Sequence, residues 1–140
     1  MNRESLSGRV RDLVCVVSFI LLTVTYWITA PETVSYWDCP EYVSAAYLLE
    51  IGHPPGNPLW MLVEHMVTLL SGAEHAAYAV NLSSGVFSAF AGFFLAGIVF
   101  RLTLWILRVR KRDGDPEIWG AAGTAMVAAL CFGWCDSTWY

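Results

Sequence analysis

All eight Lys and Arg residues of this 140-residue chain sit in two clusters. Arg3, Arg9 and Arg11 precede the first apolar run, and Arg101, Arg108, Arg110, Lys111 and Arg112 follow the second. From Leu13 to Phe100 there is no Lys or Arg at all. A soluble domain carries about a quarter of its residues as charged side chains. Here the charged share is 14% against 56% hydrophobic, which excludes an ordinary soluble domain and points to a membrane protein.

Three apolar stretches are predicted spans: residues 13–30, 78–107 and 118–135. The first is uncharged and about 18 residues long, enough to cross a hydrocarbon core of roughly 30 Å. It resembles a signal sequence in place, but no small-residue cleavage site stands out and Trp27 reads as an interfacial anchor. The second is about 30 residues long and must tilt or protrude. Gly85, Gly92 and Gly97, with Ser84, Ser88 and Ala91, give it a small-residue face suited to close helix packing. The third is rich in Ala and Gly, which suits contact with protein more than with lipid.

The positive-inside rule orients these spans. It predicts a cytoplasmic amino terminus, an external loop over 31–77, a cytoplasmic loop over 108–117 and an external end from Asp136. The expected fold is all-α: a polytopic membrane protein of three transmembrane helices with a helical first external loop, forming a single membrane domain. Three helices enclose little volume and the glycine faces lack evident partners. The chain therefore reads as the amino-terminal fragment of a longer protein whose remaining helices, with membrane lipid, are its partners; nothing suggests nucleic acid. Cys15 and Cys131 fall in spans, Cys39 and Cys135 both reach the outer face, so a disulfide between the latter pair is open, and no zinc-type spacing occurs.

The external loop holds Glu32, Asp38, Glu41, Glu50, Glu64 and Glu74 and all three histidines, His53, His65 and His75. A helix is predicted from Asp38 to about Ile51, ended by Gly52. His53-Pro54-Pro55-Gly56-Asn57-Pro58 then holds the chain stiff and non-helical. A second helix, from Pro58 or Leu59 to about Leu70, is too short to span and lies either in the interface or against the bundle.

Asp38-Cys39-Pro40-Glu41 supports two compatible readings. One is a capping box, with Asp38 as N-cap and Glu41 reaching back. The other is a surface site in which a carboxylate acts as general base toward an acceptor. Tyr36, Trp37 and Tyr42 offer either a stacking surface for a sugar or interfacial anchors. His53, before the proline turn, is either a donor to phosphate or hydroxyl, or a solvated loop residue. Glu64-His65 reads as an interfacial polar face ahead of any site role. The Asn81-Leu82-Ser83 sequon lies at the start of a span and is discounted for glycosylation. Asp136 faces the same compartment as Asp38 and is a candidate for the same cavity.

The stretch TVSYWDCPEYVSAAYLLEIGHPPGNPLWML resembles the opening loop of bacterial membrane proteins related to the protein O-mannosyltransferases of the GT-C glycosyltransferase superfamily. The resemblance rests on W-D-x-x-E followed by G-H-P-P-G-x-P-L, then Asn81-Leu82-Ser83-Ser84 with Ser88, and Asp136-Ser137-Thr138-Trp139. It implies a GT-C-like amino-terminal part in a bacterial inner membrane. It also implies transfer of a sugar from a polyprenyl-phosphate carrier to an acceptor on the non-cytoplasmic side. By position it makes Asp38 the catalytic base and Glu41 its partner, with His53 near the lipid phosphate and Trp37, Tyr42 and Asp136 binding substrate.

Glu64-His65 stands where the resemblance leads one to expect Gly-Arg. With no Lys or Arg in the loop, the leaving phosphate would need a divalent metal ion or basic residues from elsewhere, although no clear metal triad is visible. The competing reading is a non-catalytic assembly or transport subunit. Transport calls for ionisable groups in mid-span, and only Arg101, near an inner end, lies inside one.

Overall fold

The computed structural model describes residues 3–34, 38–53, 57–110 and 115–135, and all regular structure among them is helical. Trp37, Asp136 with the D-S-x-W segment, and the Pro54-Pro55-Gly56 turn lie outside the described residues.

Among the described residues five α-helices follow one another: α1 (Arg3–Thr29), α2 (Cys39–Leu48), α3 (Pro58–Ser71), α4 (Ala76–Val109) and α5 (Asp115–Gly133), with a 3-10 turn at Ala73–His75 before α4. Helix α1 starts well before the predicted span at Leu13. Hydropathy marks where lipid begins, whereas the helical hydrogen bonds continue into the charged segment. There Ser7 bonds the Glu4 carbonyl and Arg11 pairs with Asp12 at 2.6 Å. Helix α4 has 34 residues and is roughly 50 Å long at the usual rise, so it outruns the hydrocarbon layer.

Two segments are long and apolar enough to cross a membrane, Glu4–Thr29 and Ala73–Val109. Only 28% and 17% of their apolar windows are buried, unlike the core helices of a soluble domain. The third predicted span is a shorter apolar helix, Glu117–Gly133, so it does not stand on the same footing as the other two.

The chain forms two compact units. The first comprises α1 up to Thr25, α4 from Phe87, and α5. Its core is built from Val10, Val14, Cys15, Ala96, Phe100 and Ile118 together with the alanines of α5. Leu22 is fully buried and lies against Gly92 and Gly133, where a Cβ on either glycine would overlap its methyl groups. The small-residue face expected of α4 thus receives a large side chain, the van der Waals packing that associates helices in lipid. Ser18, also fully buried, donates its hydroxyl to Met126 Sδ at 3.3 Å.

The second unit runs from Tyr26 to Val86 and holds α2 and α3. Tyr26 lies against Gly85, where an added Cβ would come within 2.8 Å of the tyrosine Cβ. Val43, Ala45 and Ala46 of α2 pack on Met61 of α3 and Val80 of α4. Helix α2 stops at Leu48, short of the predicted Ile51, and Gly52 is not its terminator. Leu49 ends it instead, in the left-handed region at φ 55°, with the Leu49 and Glu50 amides both bonding the Ala45 carbonyl. That conformation costs a residue with a Cβ roughly 1–2 kcal/mol. Leu49→Gly is therefore expected to raise stability by about 1 kcal/mol, measured as a higher unfolding midpoint in detergent.

Helix α3 is inside out. Leu59, Leu62, Val63, Met66, Leu69 and Leu70 are exposed, while Met61, Glu64 and Thr68 are buried. At 14 residues, about 21 Å, it cannot cross a bilayer.

Candidate functional site

The site grows from the start of α2. Pro40 lies in the first turn, where its missing N–H leaves no helical bond unmade. Asp38 is the N-cap residue and its carbonyl accepts the first helical bond, from the Tyr42 amide at 3.0 Å. Its side chain makes no capping bond. Glu41 does not reach back to the cap either, so the capping box expected from D-x-x-E does not form.

The Glu41 carboxylate turns instead to His53. Oε1 accepts the His53 backbone N–H at 2.7 Å, and Oε2 lies 2.9 Å from His53 Nδ1. This two-point clamp joins the first turn of α2 to the chain entering the proline turn, and it fixes the imidazole. With Nδ1 taken by Glu41, Nε2 faces Asp38, 3.9 Å from Oδ2. Gly52 makes the approach possible, since a Cβ there would sit 3.3 Å from Glu41 Oε1. Asp38, Glu41 and His53, three residues chosen from sequence, are thus brought together. All three side chains are open to solvent, at 63%, 45% and 48% exposure.

Electrostatics follows from the clamp. The hydrogen bonds from the His53 ring and backbone hold Glu41 below the usual carboxylate value of 4.5. The bond to Glu41, helped by its charge and more weakly by that of Asp38, raises His53 above 6.5.

Tyr42 stands beside this trio. Its ring meets Trp60 edge-on at 5.4 Å and His53 at 6.1 Å, and its hydroxyl accepts from Asn57 Nδ2 at 3.4 Å. It therefore braces the site from within α2, with one edge toward His53. Cys39 is a free thiol that donates to Asn81 Oδ1 at 3.7 Å. Cys39 and Cys135 are not bridged, so the disulfide left open by the sequence is not made. Asn81 spends its amide protons on the Pro31 and Thr33 carbonyls, at 3.0 and 3.2 Å, tying the start of the loop to α4. That use explains the sequon better than glycosylation does.

The family model for the protein O-mannosyl-transferase TMEM260 N-terminal domain matches residues 38–140, from the candidate base onward. The chain belongs to this family. Protein O-mannosyl-transferase TMEM260 of Mus musculus is 36% identical over 97 residues, covering 69% of this chain and 14% of the mouse protein. The chain thus corresponds to a small part of that relative's length. No solved structure matches. The TMEM260 N-terminal family match takes in Asp38, Glu41, Tyr42 and His53 together.

Sequence reasoning missed Glu64. It is not part of an interfacial polar face but fully buried, with both carboxyl oxygens 2.5 Å from Ser83 Oγ of α4. Neighbouring His65 places Nδ1 2.8 Å from the Ala46 carbonyl of α2. The signal was present in the outward stripe of α3: once Leu59, Leu62, Val63, Met66 and Leu69 face out, helical periodicity turns Met61, Glu64 and Thr68 inward. Among the described residues no group of three or more His, Cys, Asp or Glu side chains is gathered to hold a metal ion.

Proposed function

We propose that this chain is the amino-terminal portion of a membrane glycosyltransferase that moves a sugar, by family a mannose, from a polyprenyl-phosphate carrier to a hydroxyl acceptor. The observation that carries the reading is the Glu41 clamp, which holds His53 with Nε2 toward Asp38 at 3.9 Å. In this reading Asp38 removes the acceptor proton as the acceptor oxygen bonds to C1 of the sugar and the bond from C1 to the phosphate oxygen breaks. His53, whose protonated form Glu41 favours, hydrogen-bonds the departing phosphate in this reading. Positioning of the reactants supplies the remaining acceleration.

The site lies in the external loop, so transfer takes place on the non-cytoplasmic face, with the amino terminus in the cytoplasm as the basic clusters require. A GT-C-like architecture in an inner bacterial membrane is the matching context. Glu4–Thr29, Ala73–Val109 and the shorter α5 are its first three spans. Trp37 and Asp136 are assigned to substrate binding in this reading by family resemblance alone. The loop has no Lys or Arg, so further neutralisation of the phosphate falls to a divalent metal or to basic residues outside the loop.

The test is reconstitution of the full-length protein in vesicles with polyprenyl-phosphate mannose and a Ser/Thr-containing acceptor peptide. Transfer from the lipid donor, with none from a nucleotide sugar, is the expected result. Transfer from the nucleotide sugar alone overturns the donor assignment, and transfer from neither favours the non-catalytic alternative.

A further inference from the structure

The geometry points to Glu64 as a proton-bearing positioning residue: a neutral carboxylic acid that pins α3 to α4 through Ser83 and thereby holds the helix behind the Asp38–Glu41–His53 site. The inference rests on the glycosyltransferase reading for its consequence in turnover, and on the fold alone for the state of the carboxyl.

Proton counting separates the two states of the carboxyl. Ser83 Oγ lies 2.5 Å from Glu64 Oε1 and Oε2, and 3.0 Å from the Val80 carbonyl. One hydroxyl carries one proton, so it satisfies one of these three acceptors. If Glu64 is ionised, the hydroxyl serves either the carboxylate or the carbonyl, and a buried negative charge is left with at most one donor. If Glu64 is protonated, its O–H donates to Ser83 Oγ, Ser83 donates to the Val80 carbonyl, and each proton has an acceptor. Burying an uncompensated carboxylate is far costlier than burying a hydrogen-bonded acid.

The surroundings agree. Glu64 has no exposed surface, and Ser83 is the polar side chain that faces it from α4. From α2 the contact to this part of α3 is the Ala46 carbonyl, which meets His65. No charged side chain on any of these helices shifts the group; burial, the dominant cause, raises it above 4.5, and the Ser83 bond lowers it only partly.

The same stretch of α3 supports the site. Met61, one turn before Glu64, lies under Gly52, its Cε 3.7 Å from where a Cβ would be, and Gly52 is where Glu41 crosses to His53. His65 bonds α2 itself. Loosening α3 from α4 therefore loosens the floor of the clamp.

The test compares E64A, S83A and E64Q in the full-length protein. The infrared spectrum of wild type minus E64Q at neutral pH is expected to show the carbonyl band of a protonated carboxyl. The His53 titration, followed by NMR on labelled histidine, is expected to stay raised in E64Q and to fall back toward 6.5 in E64A and S83A. Transfer should fall about tenfold or more in E64A and stay within about twofold of wild type in E64Q, since an amide replaces the neutral acid. Absence of the carboxyl band, or E64Q behaving like E64A in the His53 titration, overturns the proposal. If wild type transfers no sugar at all, the glycosyltransferase reading fails, while the band and the titration still decide the role of Glu64.

Discussion

Asp38→Asn in the full-length protein should lower sugar transfer by about a hundred- to ten-thousand-fold, the range for removing a general base, with the fold unchanged. The structure makes this a clean substitution. Asp38 caps α2 through its backbone only, and its side chain makes no capping bond that Asn would have to replace. Its carboxylate is 63% exposed and stands 3.9 Å from His53 Nε2, so no buried partner is orphaned. Surface substitutions of this kind change stability by about 0.5 kcal/mol or less. An unfolding midpoint matching wild type, beside a collapsed rate with donor affinity retained, is the expected pattern. Full transfer by D38N removes Asp38 from the role of base.

The second large effect is expected at Glu41. Glu41→Ala takes the acceptor from both the His53 backbone N–H and Nδ1, so the imidazole is free to turn and the loop is no longer tied to α2. A misplaced catalytic group typically costs about a hundredfold; solvent access to both side chains allows water to replace part of the clamp, so about ten- to a hundredfold is expected here. The pH dependence separates this from general damage. Glu41 is lowered, so its contribution is present above 4.5 and is lost as pH falls through its lower folded value. His53 is raised, so its contribution is complete below 6.5 and is lost as pH rises through its higher folded value. The charged pair thus exists between those two limits. In Glu41→Gln the Gln carbonyl still accepts one bond but carries no charge, and His53 loses what raises it. The alkaline limb of the rate profile should move to lower pH. An unmoved limb means that His53 protonation does not serve transfer.

Both results depend on a contact that no sequence pattern announces. D-x-x-E at the head of a helix is the spacing of a capping box, and local geometry alone favours that arrangement. Pro40 and the neighbouring chain leave Glu41 a better partner, because Gly52 lets the segment carrying His53 approach within hydrogen-bonding distance. Two N–H donors on one residue outcompete one backbone N–H at the cap. The nomination of Asp38, Glu41 and His53 as a group came from family resemblance and residue chemistry, and their convergence came from the fold.

The features legible in the residues alone are those governed by short-range physics and by solvent. Long uncharged apolar runs and the confinement of cations to two clusters dictate α1 and α4 as span-length helices, because lipid leaves backbone groups no partner except each other. Pro and Gly mark the beginnings of α2 and α3 and the end of α3. The small residues of α4 announce close approach, as Leu22 and Tyr26 then show. Which side chain meets which across the loop follows from packing between segments distant in the chain. Periodicity places Glu64 and His65 on one helix, but only the packing of α3 against α2 and α4 sends one to Ser83 and the other to Ala46. The reason is the same for Glu41: a carboxyl group takes the strongest donors within reach, and reach is set by neighbours distant in the chain.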